Sequence, residues 1–417
     1  MRTILSTSLF LALFFFMFSC GESEATSGAA SESGVHEVDI PELLKRPEAL
    51  QNTAEWDNTQ SGYMQMSSAL RLEDPKAIEP RITLAKIFIN EARVTGEHGH
   101  YYPAALKMLN EALELNHAGA RNPNLEFDAL AAKAGVELSQ HDFQDALATA
   151  KSAVSINPYN AQVYGAVVDA NVELGNYQEA IAAADKMNEI RPDLRSYSRV
   201  SYLREIHGDV DGAIEAMKRA VNAGAPGYES TAWARLTLGE LYRRYGQPEQ
   251  AAAQYETILQ ERPNYPFAIA AQAELAMDRK DYDEAERLLN EAKAIIPEVG
   301  YYVDLAELYT LQGRDEEATA IEKEIMVMLQ DDVDSGHNMD MEYATLYRDQ
   351  YADYDKALEY MLKEYRVRPD NIDVNRMLAS IYVKRGNMDK AKEHLEKAKA
   401  TESKHPELEE LEAALAK

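Results

Sequence analysis

The 417-residue chain has one cysteine, Cys20, and two tryptophans, Trp56 and Trp233. A single thiol excludes an intrachain disulfide, so no framework of bridges holds this protein together. Cationic side chains are scarce as well: 43 Lys and Arg stand against 71 Asp and Glu, for a formal net charge of −28. A surface that acidic repels phosphates, which excludes nucleic acid as a partner. It equally excludes docking on anionic lipid through a polybasic face. Long hydrophobic runs are missing except at the start, where residues 9–18 read LFLALFFFMF. That run is short for a membrane span and suits the core of an export signal. No nucleophile elbow, P-loop, His-Glu-x-x-His or dinucleotide fingerprint occurs. No catalytic residue and no cofactor is therefore assigned.

What the chain does have is a ladder of alanines. Ala146, Ala180, Ala213, Ala251, Ala285, Ala318, Ala357 and Ala391 follow one another at steps of 33 or 34 residues, with two longer steps of 38 and 39. The clearest frame is 238–263, LGELYRRYGQPEQAAAQYETILQERP. There Leu238-Gly239-x-x-Tyr242, Gly246, Ala251-x-x-x-Tyr255 and Pro263 are set out for two antiparallel helices. Gly239 and Ala251 allow close approach, Tyr242 and Tyr255 fill the flanks, Gly246 breaks the first helix and Pro263 ends the second. This pattern resembles the tetratricopeptide repeat. The resemblance implies an all-α, right-handed superhelical solenoid of about eight helix–turn–helix units with capping helices at both ends. The expected layout is a signal peptide at 1–19, a tether at 20–37, a degenerate helical cap at 38–79, the solenoid at 80–401 and a capping helix at 402–417. The segments Arg191–Gly224, TGEHGHYY at 95–102 and LGELY also resemble a widespread bacterial group of tetratricopeptide proteins, over about residues 80–330. That group brings no enzymatic role with it.

The start of the chain carries an address. Ser19-Cys20-Gly21 at the end of the apolar core resembles the bacterial lipoprotein box, although Met17 and Phe18 depart from it. The resemblance implies that Cys20 is acylated and becomes the first mature residue. The following GESEATSGAASESG cannot bury a core and reads as a flexible tether. Residue 21 is Gly and not Asp, so the inner-membrane retention signal of some bacterial lipoproteins is missing, which points to the outer membrane. The implied setting is the bacterial cell envelope, with membrane contact through the lipid anchor only.

In this repeat the first helix of each pair lines the concave groove. Counting from the alanine register, the groove is expected to present Arg195, Arg199, Tyr202, Glu205, Trp233, Leu236, Glu240, Arg243, Phe267 and Glu274. Arg, Tyr and Trp are the residue types that carry binding energy at interfaces. The competing expectation is that Trp233 and Phe267 pack between repeats while the arginines pair with nearby glutamates. The expected partner is a protein or peptide of the cell envelope. A rival reading is an envelope enzyme or a metal-dependent binding protein using His98 and His100, but an H-x-H alone has too few ligands for a closed zinc site. The remaining rival is a structural spacer. The acidic run at 331–336, DDVDSG, places Val333 where a calcium loop needs an oxygen ligand, and reads as a solvated inter-repeat loop.

Overall fold

The computed structural model describes residues 35–51 and 54–416. The export signal, Cys20 and nearly all of the tether lie outside the described residues. Every regular element among the described residues is helical. A leading helix, α1 (Ala54–Ser68), precedes nine antiparallel pairs. The first three pairs are α2 (Ile78–Thr95) with α3 (His98–Ala118), α4 (Pro123–Ser139) with α5 (Phe143–Ile156), and α6 (Ala161–Glu173) with α7 (Tyr177–Ile190). The next three are α8 (Leu194–Ile206) with α9 (Val210–Ala223), α10 (Glu229–Arg244) with α11 (Pro248–Glu261), and α12 (Pro266–Asp278) with α13 (Tyr282–Ile295). The last three are α14 (Val299–Leu311) with α15 (Asp315–Asp334), α16 (Asp340–Asp349) with α17 (Tyr354–Val367), and α18 (Ile372–Lys384) with α19 (Met388–Ala398). A closing helix, α20 (Pro406–Leu415), packs on the ninth pair. Its Glu407 accepts hydrogen bonds from Arg348 (3.1 Å) and Arg376 (3.0 Å).

Each alanine of the ladder is the fourth residue of a second helix, from Ala146 in α5 to Ala391 in α19. All are fully buried except Ala318, which is 4% exposed. Only a small side chain lets the two axes approach there. The two helices of the fifth pair approach closely at Gly239, where a Cβ would collide with the Tyr255 ring. Tyr255 thus slides beneath α10 instead of packing beside it.

There is one more pair than the alanine count suggests, because the first pair carries its buried small residue, Ala105, deeper in α3. The segment TGEHGHYY is not a loop insertion. Gly96, at φ +72°, ends α2, and α3 starts at His98, so the segment adds helix to α3. The cause is burial: Tyr101 is 0% and Tyr102 5% exposed, and a helical turn places both in the core. The acidic run at 331–336 is corrected in the same sense. Asp331, Asp332 and Asp334 belong to the last turns of α15, held in helix by buried Ile325 and Leu329, and do not form an open loop.

First helices touch the first helices of the next pair, α2 with α4, α4 with α6 and α6 with α8, so they occupy the inner, tighter radius. The coil then closes on itself. Asn264 donates to the Ala49 carbonyl (2.9 Å) and Arg262 to Glu55 (3.3 Å). A Cβ on Gly96 would meet Glu298. His141 Nδ1 donates to the Asn338 carbonyl (2.8 Å), and Asn338 N–H to the Gln140 carbonyl (3.1 Å). Arg368 reaches Glu173 (2.5 Å), and the Ile372 N–H donates to the Tyr177 hydroxyl (2.8 Å). Gly208, at φ +75°, stands against the Glu402 carbonyl. The segment at the start of α1 meets the loop after the fifth pair, and for the first four pairs one rule holds: the turn inside a pair meets the loop that follows the fifth pair after it. Apolar residues join the seam too. Leu50 and Val94 belong to the same buried cluster as Leu305 and Tyr301, and Ile372 to that of Phe127 and Val163. Each such side chain contributes about 1.5–3 kcal/mol when fully buried. The inner face therefore encloses a channel, where an extended solenoid would leave an open trough.

Candidate partner-binding channel

On α10, residues i, i+4, i+7 and i+11 share one face. Trp233, Thr237, Glu240 and Arg244 form that face, and they point inward. The same register places Tyr202 on α8, Glu274 on α12 and Glu307 on α14. Trp233 is 45% and Tyr202 36% exposed. Tyr202 keeps that surface, yet burial drives its pKa well up, followed by the fields of Asp373 and Glu173 from the ninth and third pairs. Such a side chain faces walls across a narrow lumen, not open water.

The candidate residues separate into two groups. Arg195, Tyr202, Trp233 and Glu240 project into the lumen. Among the described residues, the Arg195 guanidinium has no ion pair; its pKa is depressed first by burial and next by Arg93, a second inward cation on α2. Arg199, Arg243 and Phe267 are already occupied. Arg199 forks onto Asp169 (2.9 and 2.6 Å) and the Gly165 carbonyl (3.2 Å). Arg243 grips Asp278 (2.7 and 3.1 Å) and also bonds to Glu274. Phe267 packs between repeats, against Tyr265 and Tyr301 at ring distances of 5.4 and 6.2 Å. Leu236 and Glu205 do not face the lumen: they are 9% and 7% exposed, and Glu205 is bonded to Arg244 and to the Tyr245 hydroxyl (3.2 Å).

Reading from the alanines missed Arg93, Asp304 and Glu307. The signal for Glu307 was present: it holds in Leu305-Ala306-Glu307-Leu308-Tyr309 the place that Glu240 holds in Leu238-Gly239-Glu240-Leu241-Tyr242. Asp304 lies one helical turn before it.

His98 and His100 point apart. His98 stacks on Tyr102 (5.3 Å) and stands 6.1 Å from the His337 ring, while His100 Nε2 contacts the Glu42 carbonyl at 2.8 Å. Burial, then His337, pushes the His98 pKa down to about 4, so the ring is neutral near pH 7. Among the described residues, no group of three or more His, Cys, Asp and Glu is arranged to hold a metal ion. Next to His98 the seam leaves a cavity of about 680 Å³ lined by Glu298, Val299, Tyr302, Val327 and Asp332. No helix among the described residues is long and apolar enough to cross a membrane.

Residues 137–204, 242–302 and 350–415 match the family model of the tetratricopeptide repeat. Among curated proteins, the chain is similar to cellulose synthase operon protein C of Pseudomonas fluorescens (strain SBW25), at 24% identity over 191 residues. That alignment takes in 44% of this chain and only 14% of the relative's length. Among solved structures, the chain resembles a thermophilic tetratricopeptide protein of Thermus thermophilus (21% identity, 48% of this chain and 100% of that one, TM-score 0.41). It resembles pilF of Pseudomonas aeruginosa (14% identity, 59% and 94%, TM-score 0.38) and human IFIT1 (13% identity, 84% and 95%, TM-score 0.46). The repeat register, the nine helix pairs and the matched model agree: this chain is built of tetratricopeptide repeats, a scaffold fold suited to protein–protein interaction.

Proposed function

We propose that the protein is a non-enzymatic scaffold of the bacterial cell envelope, anchored through acylated Cys20, which binds a protein or peptide partner in its inner channel. The carrying observation is the pair of exposed aromatics, Tyr202 and Trp233, on the lumen wall beside the unpaired Arg195. Large aromatic and arginine side chains held in a walled recess are the composition of an interface hot spot. The likeness to a cellulose synthase operon protein supports a place beside envelope machinery. The lipoprotein-box resemblance supports the anchor.

The test is an in-cell crosslinking capture comparing wild type with Tyr202→Ala/Trp233→Ala, after circular dichroism shows unchanged helix content. Wild type is expected to capture an envelope protein that the variant loses. An identical captured set for both would move the binding surface away from the channel. In the same cells, label from a palmitate analogue is expected on wild type and absent from Cys20→Ser; equal labelling would overturn the anchor.

A further inference from the structure

The lumen wall changes character along its length. On α8 it presents Arg195 and Tyr202. On α10, α12 and α14 it presents Glu240, Glu274, Asp278, Asp304 and Glu307, with Arg243 bonded among them and Arg244, the other cation of α10, bonded to Glu205. Arg243 is spent on Glu274 and Asp278. No hydrogen bond or ion pair among the described residues reaches the carboxylates of Glu240, Asp304 or Glu307, which lie on neighbouring inner helices. Glu240 and Glu307 are exposed to the lumen and Asp304 is half-buried.

A second feature lies behind these carboxylates. The Tyr255 ring passes under Gly239 and is fully buried, and its hydroxyl has no hydrogen-bond partner. The Tyr301 hydroxyl, on a residue 5% exposed, has none either. Buried phenols normally find a partner. Tyr255 lies in the fields of Glu240 and Glu274, and Tyr301 in those of Glu298 and Asp304. The wall thus combines unpaired carboxylates with unmet donors behind them.

We propose that the α10–α12–α14 wall seats a basic protein segment, whose lysine or arginine side chains meet Glu240, Glu274, Asp304 and Glu307. This rests on the channel being the binding surface, and it names the chemistry of the occupant. Charge complementarity carries it: the cations of this wall, Arg243 and Arg244, are already spent on carboxylates, and a basic segment supplies the charges that Glu240, Asp304 and Glu307 lack. The exposed Trp233 at the head of the same face of α10 offers its ring to an aliphatic stem or a cation.

A pH signature follows. Burial pushes the Asp304 carboxyl up to about 7, with Glu274 of α12 and Glu307 of α14 adding to the rise and Arg243 of α10 opposing it. An arriving cation favours the ionised form. Binding below that value therefore releases a proton, and affinity rises with pH through it.

The experiment uses the full chain and fluorescence anisotropy of a fluorescein-labelled oligolysine peptide, with oligoglutamate of equal length as the control. Glu240→Gln/Glu307→Gln is expected to weaken oligolysine binding about tenfold or more. Glu249→Gln/Glu256→Gln, which removes the same charge from α11 on the outer layer, is expected to change it by less than about twofold. Wild-type affinity should rise between about pH 6 and about pH 8, on either side of the Asp304 value. Equal weakening in both variants would mean bulk attraction to an acidic surface and would overturn the proposal, as would absence of oligolysine binding. If oligolysine fails while Tyr202→Ala/Trp233→Ala still abolishes partner capture, the channel stands and the basic occupant falls. If capture also survives that variant, the channel reading itself falls.

Discussion

Replacing Arg46 with alanine is expected to lower the unfolding free energy by about 3–5 kcal/mol, the range for stranding one partner of a buried ion pair. Arg46 is 2% and Glu91 0% exposed. The guanidinium meets the Glu91 carboxylate side-on at 2.7 and 2.6 Å, donates to Glu55 (3.1 Å) and lies 5.1 Å from the Trp56 ring centre. Burial works against the charge on Arg46, but Glu91 and Glu55 outweigh it and raise its pKa. Without Arg46, Glu91 is left enclosed on α2 with no cation beside it, and the segment ahead of α1 loses one of its ties to the first pair. Urea unfolding followed by circular dichroism measures the effect, and a drop under about 1 kcal/mol would contradict the assignment. Arg46→Met/Glu91→Leu should recover most of the loss, because removing both charges also removes the desolvation penalty.

Arg368→Ala is expected to open the seam at a cost of about 3 kcal/mol, again by breaking a buried pair. Arg368 is 6% exposed, bonds to Glu173 and Glu364 at 2.5 Å each, and lies over Phe143 at 4.9 Å. Burial pushes Glu173 up to about 7, against the pull of Arg368. A carboxyl whose folded-state pKa lies above its ordinary value favours folding in its protonated form. That contribution is full at low pH and is lost as the pH rises through about 7. The deficit of the variant should therefore be largest above that pH, where Glu173 must ionise with no cation beside it. Hydrogen exchange at 172–177 and 368–372 is the direct readout. Both stretches should speed up together while α10 to α13 stay protected; unchanged exchange at both would sink the idea.

The pairs were legible because their determinants are local. Ala146 through Ala391 announce the start of every second helix from α5 to α19, since close packing of two axes admits only a small residue there. The seam was not legible, because Glu173 and Arg368 lie 195 residues apart and no local periodicity links them. Nor did polarity alone separate helix from loop. Asp331 and Asp332 sit near a helix C-terminus, where carboxylates are disfavoured, and buried Leu329 and Ile325 hold the helix there regardless. The channel was half legible. Offsets counted from the alanines found Trp233, Tyr202 and Glu240 but placed Leu236 and Glu205 in the lumen. A step of one residue rotates a side chain by about 100°, since the helix has 3.6 residues per turn, which is enough to move it from lumen to core.

A solenoid whose repeats touch only their neighbours behaves as a one-dimensional chain: its stability is nearly a sum over repeats, and its ends fray without the middle noticing. The closed seam removes that independence. Each early repeat is tied both to the next one and to a loop five pairs onward, so the structure behaves as a folded ribbon whose two layers melt together. Its contact order rises accordingly, which slows folding. The terminal repeats gain in return a protection that an open coil cannot offer them.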